Sequence, residues 1–160
     1  MCSSDLVDLV ARHLRAAGKA GEHVGLMALI ESAQGVENAA SIARASPQLK
    51  SLAFGAVDLS ADLGGDSSWE AMLAHRAHMV RCAAAAGVGA LDVPWIDIDD
   101  LAGLRNECQR VRALGYTGKL AIHPKHTATI AETFTPTAAE VEFAQGVLDA
   151  YNAANGGGCT

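Results

Sequence analysis

Four short apolar runs, each followed by a segment long enough to be helical, set the order of this chain. They are VGLMALI (24–30), LKSLAFGAV (49–57), GALDVPW (89–95) and GKLAIHP (118–124). A continuous apolar run of this length reads as a strand buried on both faces. The intervening segments carry helix signals. One spans 35–45. A long one begins near Ser67, the expected N-cap with Glu70 three residues on, and stops at Gly87. A third stops at Gly115, and the last follows Pro136. An opening helix over 5–17 places Leu6, Leu9, Val10, His13 and Leu14 at helical spacing, and Gly18 and Gly21 close it. Strands joined by helices pair in parallel, because a tight hairpin can only join antiparallel strands. The expected class is α/β, with four parallel β/α units after an extra N-terminal helix.

The length of 160 residues suits one domain, expected over 1–154, with a loose tail over 155–160. Only 4% of the chain is aromatic while 50% is hydrophobic, so Ala, Leu, Val and Ile must fill the core. The net charge is −6 and the basic residues are scattered, which argues against nucleic acid, whose phosphates need a clustered basic surface. No apolar stretch is long enough to span a bilayer. The start, MCSSDLVDLV, carries acids and has neither a basic region nor a long apolar run, so it is not read as a signal peptide. Cys2, Cys82, Cys108 and Cys159 show no CxxC spacing. They read as reduced thiols of a cytoplasmic protein rather than a zinc site. No GxGxxG or GxxxxGK[ST] fingerprint is present.

Ionisable residues gather at the C-terminal ends of the expected strands: Glu31 after the first, Asp58 after the second, Asp92 in the third, His123 in the fourth. In parallel α/β folds that end of the sheet carries the ligand. Neighbouring strands lie about 4.8 Å apart, so carboxylates on adjacent strands repel unless a cation joins them. Magnesium suits such a pair, because it takes one or two carboxylates and completes its shell with water and substrate oxygens. Each residue also has a plainer reading. Asp92, Asp97, Asp99 and Asp100 are expected as caps or turn residues, and Asp62 as a loop or cap residue. His123 reads equally as a buried, hydrogen-bonded histidine, and the HxxH pair His75/His78 as a solvated helix face. Glu31 is less easily dismissed, since glutamate caps helices poorly and is costly to bury alone.

Four stretches, ALIESAQGVENAASIA, LAFGAVDLSADLG, AAAAGVGALDVPWIDIDDLAGL and ALGYTGKLAIHPKH, resemble successive signatures of the HpcH/HpaI aldolase/citrate lyase family. The citrate lyase beta-subunit-like branch, with its malyl-CoA and citramalyl-CoA lyases, is most similar. The resemblance runs from about residue 24 to residue 151. It implies a TIM (β/α)8 barrel of which this chain carries the C-terminal half, units five to eight. It implies Mg²⁺ as cofactor, with Glu31 and Asp58 as metal ligands. It places the substrate's carboxylate near the backbone of Gly55 and Ala56, beside Asp58. The implied reaction breaks or forms a carbon–carbon bond next to a carbonyl, with an acyl-CoA thioester or a 2-oxo acid as substrate. The motifs assign no catalytic base, and the substrate-binding arginine of the family's third unit has no counterpart here. A non-catalytic half-barrel, and a thioesterase or a malate synthase-like enzyme, are alternative readings. A half-barrel leaves two sheet edges exposed, so either a homo-oligomer or the missing N-terminal half is the expected partner.

Overall fold

The computed structural model describes residues 3–155. Four strands, β1 (Leu26–Ile30), β2 (Leu49–Phe54), β3 (Gly89–Asp92) and β4 (Gly118–Lys119), form one parallel sheet in the order β1-β2-β3-β4. The helices are α1 (Ser4–Ala16), α2 (Lys19–Glu22), α3 (Ala33–Glu37), α4 (Ala39–Ala43), α5 (Ala56–Leu63), α6 (Trp69–Ala86), α7 (Leu101–Leu114), α8 (Pro124–Phe134) and α9 (Ala138–Asn155). The α/β class and the run of four parallel β/α units after an N-terminal helix are as the sequence led us to expect.

The strands differ in detail from the apolar runs. β1 is not buried on both faces. Ala28 and Ile30 are buried under the helices, whereas Met27 is 50% exposed and Leu29 39% exposed on the opposite face. That face would line the interior of a closed barrel, and here the sheet stops after four strands. β2 ends at Phe54 rather than Val57, because Gly55 already serves as N-cap of α5. β3 stops at Asp92 and β4 at Lys119, leaving 93–95 and 120–123 outside the strands. Strand length follows pairing, and the register pairs only three residues of β3 with β2 and two with β4.

Local signals explain most helix ends. Ser3 caps α1 by accepting the N–H of Leu6. Ser68, one residue beyond the expected cap, accepts the N–H of Ala71 and starts α6. Asp100 caps α7 by accepting from Gly103 at 2.8 Å. Gly87 and Gly115 end α6 and α7 with φ of 69° and 105°, a conformation that side chains with a Cβ disfavour. The sequence reading missed α8. It starts at Pro124, a residue pre-set for the first helical position, and His123 caps it by accepting the N–H of Lys125 at its Nδ1. His123 is thus a half-buried cap and not a buried strand-end residue.

One apolar core lies between the sheet and its helices, built on Ile30, Leu52, Phe54, Ile42, Leu59 and Met79. α9 does not join it. A reciprocal Thr137–Glu140 capping box starts that helix, and Arg112 reaches Glu140 at 2.8 Å. Its described side chains are all exposed, Phe143 at 75%, so it is not packed on its own sheet. No described helix is long and apolar enough to cross a membrane. Cys82 and Cys108 are buried free thiols; Cys2, Cys159 and the tail beyond Asn155 lie outside the described residues.

Candidate active site

Glu31 follows the last residue of β1 and is half-buried. Asp58 is not at a strand tip. It sits in the first turn of α5, four residues beyond the end of β2, and its side chain is exposed. Both therefore belong to the C-terminal edge of the sheet, Glu31 through a strand end and Asp58 through the helix that follows the neighbouring strand. Asp62, one turn further along the same face of α5, accepts the N–H of Ala33 at 2.8 Å. Ala33 is two residues past Glu31, so the face of α5 that carries Asp58 is held against the turn that carries Glu31.

Gly55 lies against Glu31. A Cβ added there would lie 2.6 Å from the Cβ of Glu31 and 3.4 Å from its Oε2. The missing side chain is therefore what admits the glutamate. Gly55 donates its own N–H to Ile30 O at 2.9 Å, so that group belongs to the sheet and is not free for a ligand. The next three N–H groups, of Ala56, Val57 and Asp58, open α5 with no side-chain cap. Such open donors are where a helix accepts an anion.

Glu31 and Asp58 are the residues that could hold a Mg²⁺ ion. Neither Glu31 nor Asp58 has a hydrogen-bond or ion-pair partner among the described residues, and no group of three or more His, Cys, Asp or Glu side chains there could hold a metal. Two free carboxylates match a cation that keeps water and substrate oxygens in its shell, as magnesium does.

The other strand-end residues do something else. Asp92, fully buried, is neither cap nor ligand. It accepts from Arg76 Nε at 2.9 Å and from Lys119 Nζ at 2.7 Å, and Lys119 also bonds Glu107. Asp92 and Lys119 are register partners on the helix-facing side of β3 and β4. Arg76 lies under two aromatic rings, 5.5 Å from the Phe54 centroid and 4.9 Å from that of Trp69. Tyr116 donates its hydroxyl to Arg76 O, and burial, with Asp92's charge second, pushes its phenol far above the usual range. The sequence separation of these partners hid the network. Of the expected caps, Asp97 accepts from the N–H groups of Asp99 and Asp100, whereas the side chain of Asp99 caps nothing and pairs with Lys125. His78 is not on a solvated face, since its Nε2 lies 3.1 Å from Val36 O.

Fold and site together define half of a (β/α)8 barrel with a carboxylate pair at the ligand-bearing end of its strands. The chain belongs to the HpcH/HpaI aldolase/citrate lyase family, whose profile matches residues 3–124. It is 33% identical over 157 residues to citrate lyase subunit beta of Escherichia coli K12, covering 95% of this chain and 52% of that protein. It is 32% identical to L-malyl-CoA/beta-methylmalyl-CoA lyase of Rhodobacter capsulatus, covering 98% of this chain and 56% of that one. The chain thus spans about half the length of the curated relatives it matches. Among solved structures, RipC of Yersinia pestis aligns with a TM-score of 0.72 at 40% identity, over 82% of this chain and 62% of that one. The citrate lyase beta subunit of M. tuberculosis, solved with oxaloacetate and magnesium, aligns with a TM-score of 0.64 at 30% identity, over 79% and 57%.

Proposed function

We propose that this chain supplies the metal-binding half of a Mg²⁺-dependent carbon–carbon lyase. Its substrate is an acyl-CoA thioester of the citryl-CoA, malyl-CoA or citramalyl-CoA type, and turnover requires the other half of the barrel. The observation that carries this reading is the pair of unpartnered carboxylates at the C-terminal edge of the sheet, Glu31 packed against Gly55 and Asp58 in the first turn of the helix that Gly55 opens, within a family-matched segment. The related M. tuberculosis protein was solved with magnesium and oxaloacetate, and in another structure with magnesium, acetoacetate and coenzyme A.

Glu31 and Asp58 would hold the metal. Mg²⁺ bound there supplies Lewis-acid polarisation of the oxygen next to the scissile bond. The chain's own part is positioning. The open N–H groups of Ala56 and Val57 hold the carboxylate of the acid portion. Gly55 leaves room for Glu31, and the Asp62–Ala33 bond keeps α5 against the turn after β1.

A second reading, a half-barrel that binds metal without turnover, is favoured by the exposed Met27 and Leu29 on the open face of β1. One experiment separates the two. The chain is co-expressed with the N-terminal half-barrel of a related lyase and incubated with malyl-CoA or citramalyl-CoA, with products read by mass spectrometry. The lyase reading expects a shorter acyl-CoA that disappears with chelator and falls by about a hundredfold or more in Glu31→Ala or Asp58→Ala. A folded, completed barrel that makes no product supports the second reading. Free CoA without carbon–carbon cleavage marks a thioesterase.

A further inference from the structure

An open cavity of about 480 Å³ lies at the N-terminal end of the sheet, between the end of α4, the turn into β2 and the end of α6. Pro47, Ala86 and Val88 give it apolar walls that solvent reaches, and Arg44 and Lys50, both exposed, bring two cations to it. No acidic side chain lines it. Neither cation has a carboxylate partner among the described residues. In a chain of net charge −6 that is a local reversal of sign.

Both cationic heads are held at the cavity. Arg44 donates from Nη1 to Ala40 O at 3.1 Å and from Nη2 to Ala85 O at 3.5 Å, so its guanidinium bridges α4 and α6. Lys50 folds back and gives its Nζ to Pro47 O at 2.9 Å. Its stem lies over Gly25, where an added Cβ would come within 2.9 Å of Lys50 Cγ. The plain role of such cations is to neutralise carbonyls at helix ends and turns. That role leaves most of their donors unspent. A guanidinium carries five N–H groups and an ammonium three, of which Arg44 uses two and Lys50 one. Other carbonyls at the end of α6 are taken by the backbone, Ala83 O by Val88 N–H and Ala84 O by Gly87 N–H. The cavity therefore offers donors and positive charge, and its complement is an anion.

We propose that this cavity binds the phosphate group of a small phosphate monoester. Arg44 and Lys50 supply the charge and the N–H donors, and Pro47, Ala86 and Val88 meet the organic body. A dianion matches two cations, whereas a carboxylate neutralises only one. The volume falls within the range of small-ligand pockets. The site lies the length of β2, roughly 16 Å, from Gly55, at the opposite end of the sheet from Glu31 and Asp58. It shares no residue with the proposed metal and substrate site and needs no metal, so it stands or falls apart from the lyase reading.

Inorganic phosphate, n-propyl phosphate and acetate are titrated separately into the ¹⁵N-labelled 160-residue chain, without Mg²⁺ and at constant ionic strength. The pH is about 8, where a phosphate monoester is a dianion. The expected result is saturable shifts of the Arg44, Lys50, Gly87 and Val88 amides. Propyl phosphate binds several-fold more tightly than phosphate, and acetate more weakly than either. Lys50→Gln lowers the affinity for propyl phosphate about tenfold or more, the loss of one charge-assisted bond, and Lys50→Arg keeps most of it. Lys50 holds only the carbonyl of an exposed turn, so Lys50→Gln keeps the circular dichroism of the parent. Arg44→Gln is expected to lower the affinity likewise. Shifts that only drift linearly with concentration overturn the proposal, as do shifts centred on the Ala56 and Val57 amides at the other end of the sheet. Acetate binding as tightly as phosphate, or unchanged affinity in Lys50→Gln, also overturns it. Propyl phosphate binding no more tightly than phosphate overturns the monoester assignment.

Discussion

Asp62 accepts the backbone N–H of Ala33 at 2.8 Å, across 29 residues of sequence, and so ties α5 to the turn after β1. A single charge-assisted bond thereby sets how the Asp58 face of α5 meets Glu31. The proposed metal site inherits its shape from this bond and from the missing side chain at Gly55.

The first consequence concerns Gly55. Its φ of −108° is ordinary, so alanine is excluded by space and not by backbone strain. Gly55→Ala brings a Cβ to 2.6 Å from that of Glu31, and forcing such a contact costs about 1–3 kcal/mol. Urea denaturation followed by circular dichroism is expected to show that loss. Adding Glu31→Gly, which deletes the clashing Cβ, is expected to recover most of it. An unchanged midpoint in Gly55→Ala contradicts the close packing.

Asp92 carries the second. It is the shared acceptor of Arg76 and Lys119, and all three side chains are buried. Asp92→Asn leaves two buried cations facing one partly exposed carboxylate, and breaking a buried pair from one side costs about 3–5 kcal/mol. Such a loss moves the denaturation midpoint far to lower urea. A change of less than about 1 kcal/mol would mean that water reaches the network.

The start of α9 is expected to depend on pH. Glu140 accepts from the Thr137 backbone N–H first, then from the Thr137 hydroxyl, with Arg112 adding its charge, and these hold its carboxyl below the usual glutamate value. A lowered folded-state value means that the capping box contributes fully above the ordinary glutamate pKa. Its contribution is lost as pH falls through the folded value. Amide exchange in the first turn of α9 should speed up between about pH 5 and pH 3 beyond the intrinsic rate change, and Glu140→Gln should remove that dependence. Equal profiles for both proteins contradict the box.

The period of the sequence carried the architecture, because short apolar runs alternating with capped helices leave few folds besides a parallel α/β sheet. The place of Glu31 at the end of β1 was legible, because the carboxylate directly follows the apolar run. Asp58 was legible as a residue but not in its place, since an apolar run does not show where a strand yields to a helix through Gly55. The Arg76–Asp92–Lys119 network was not legible. Its members lie 16 and 27 residues apart, and an aspartate at a strand end looks the same in sequence whether it caps a helix or neutralises a buried arginine. The start of α8 was available in His123-Pro124 and was obscured by the apolar LAI before it.

The central claim is that Glu31 and Asp58 form one metal site. Calorimetric titration of the chain with Mg²⁺, with its mass followed by light scattering, tests it most directly. The account predicts weak, saturable binding that falls by about tenfold or more in Asp58→Ala and equally in Glu31→Ala, while all three proteins keep the same mass and circular dichroism. Equal Mg²⁺ affinity in the parent chain and in both variants would contradict it.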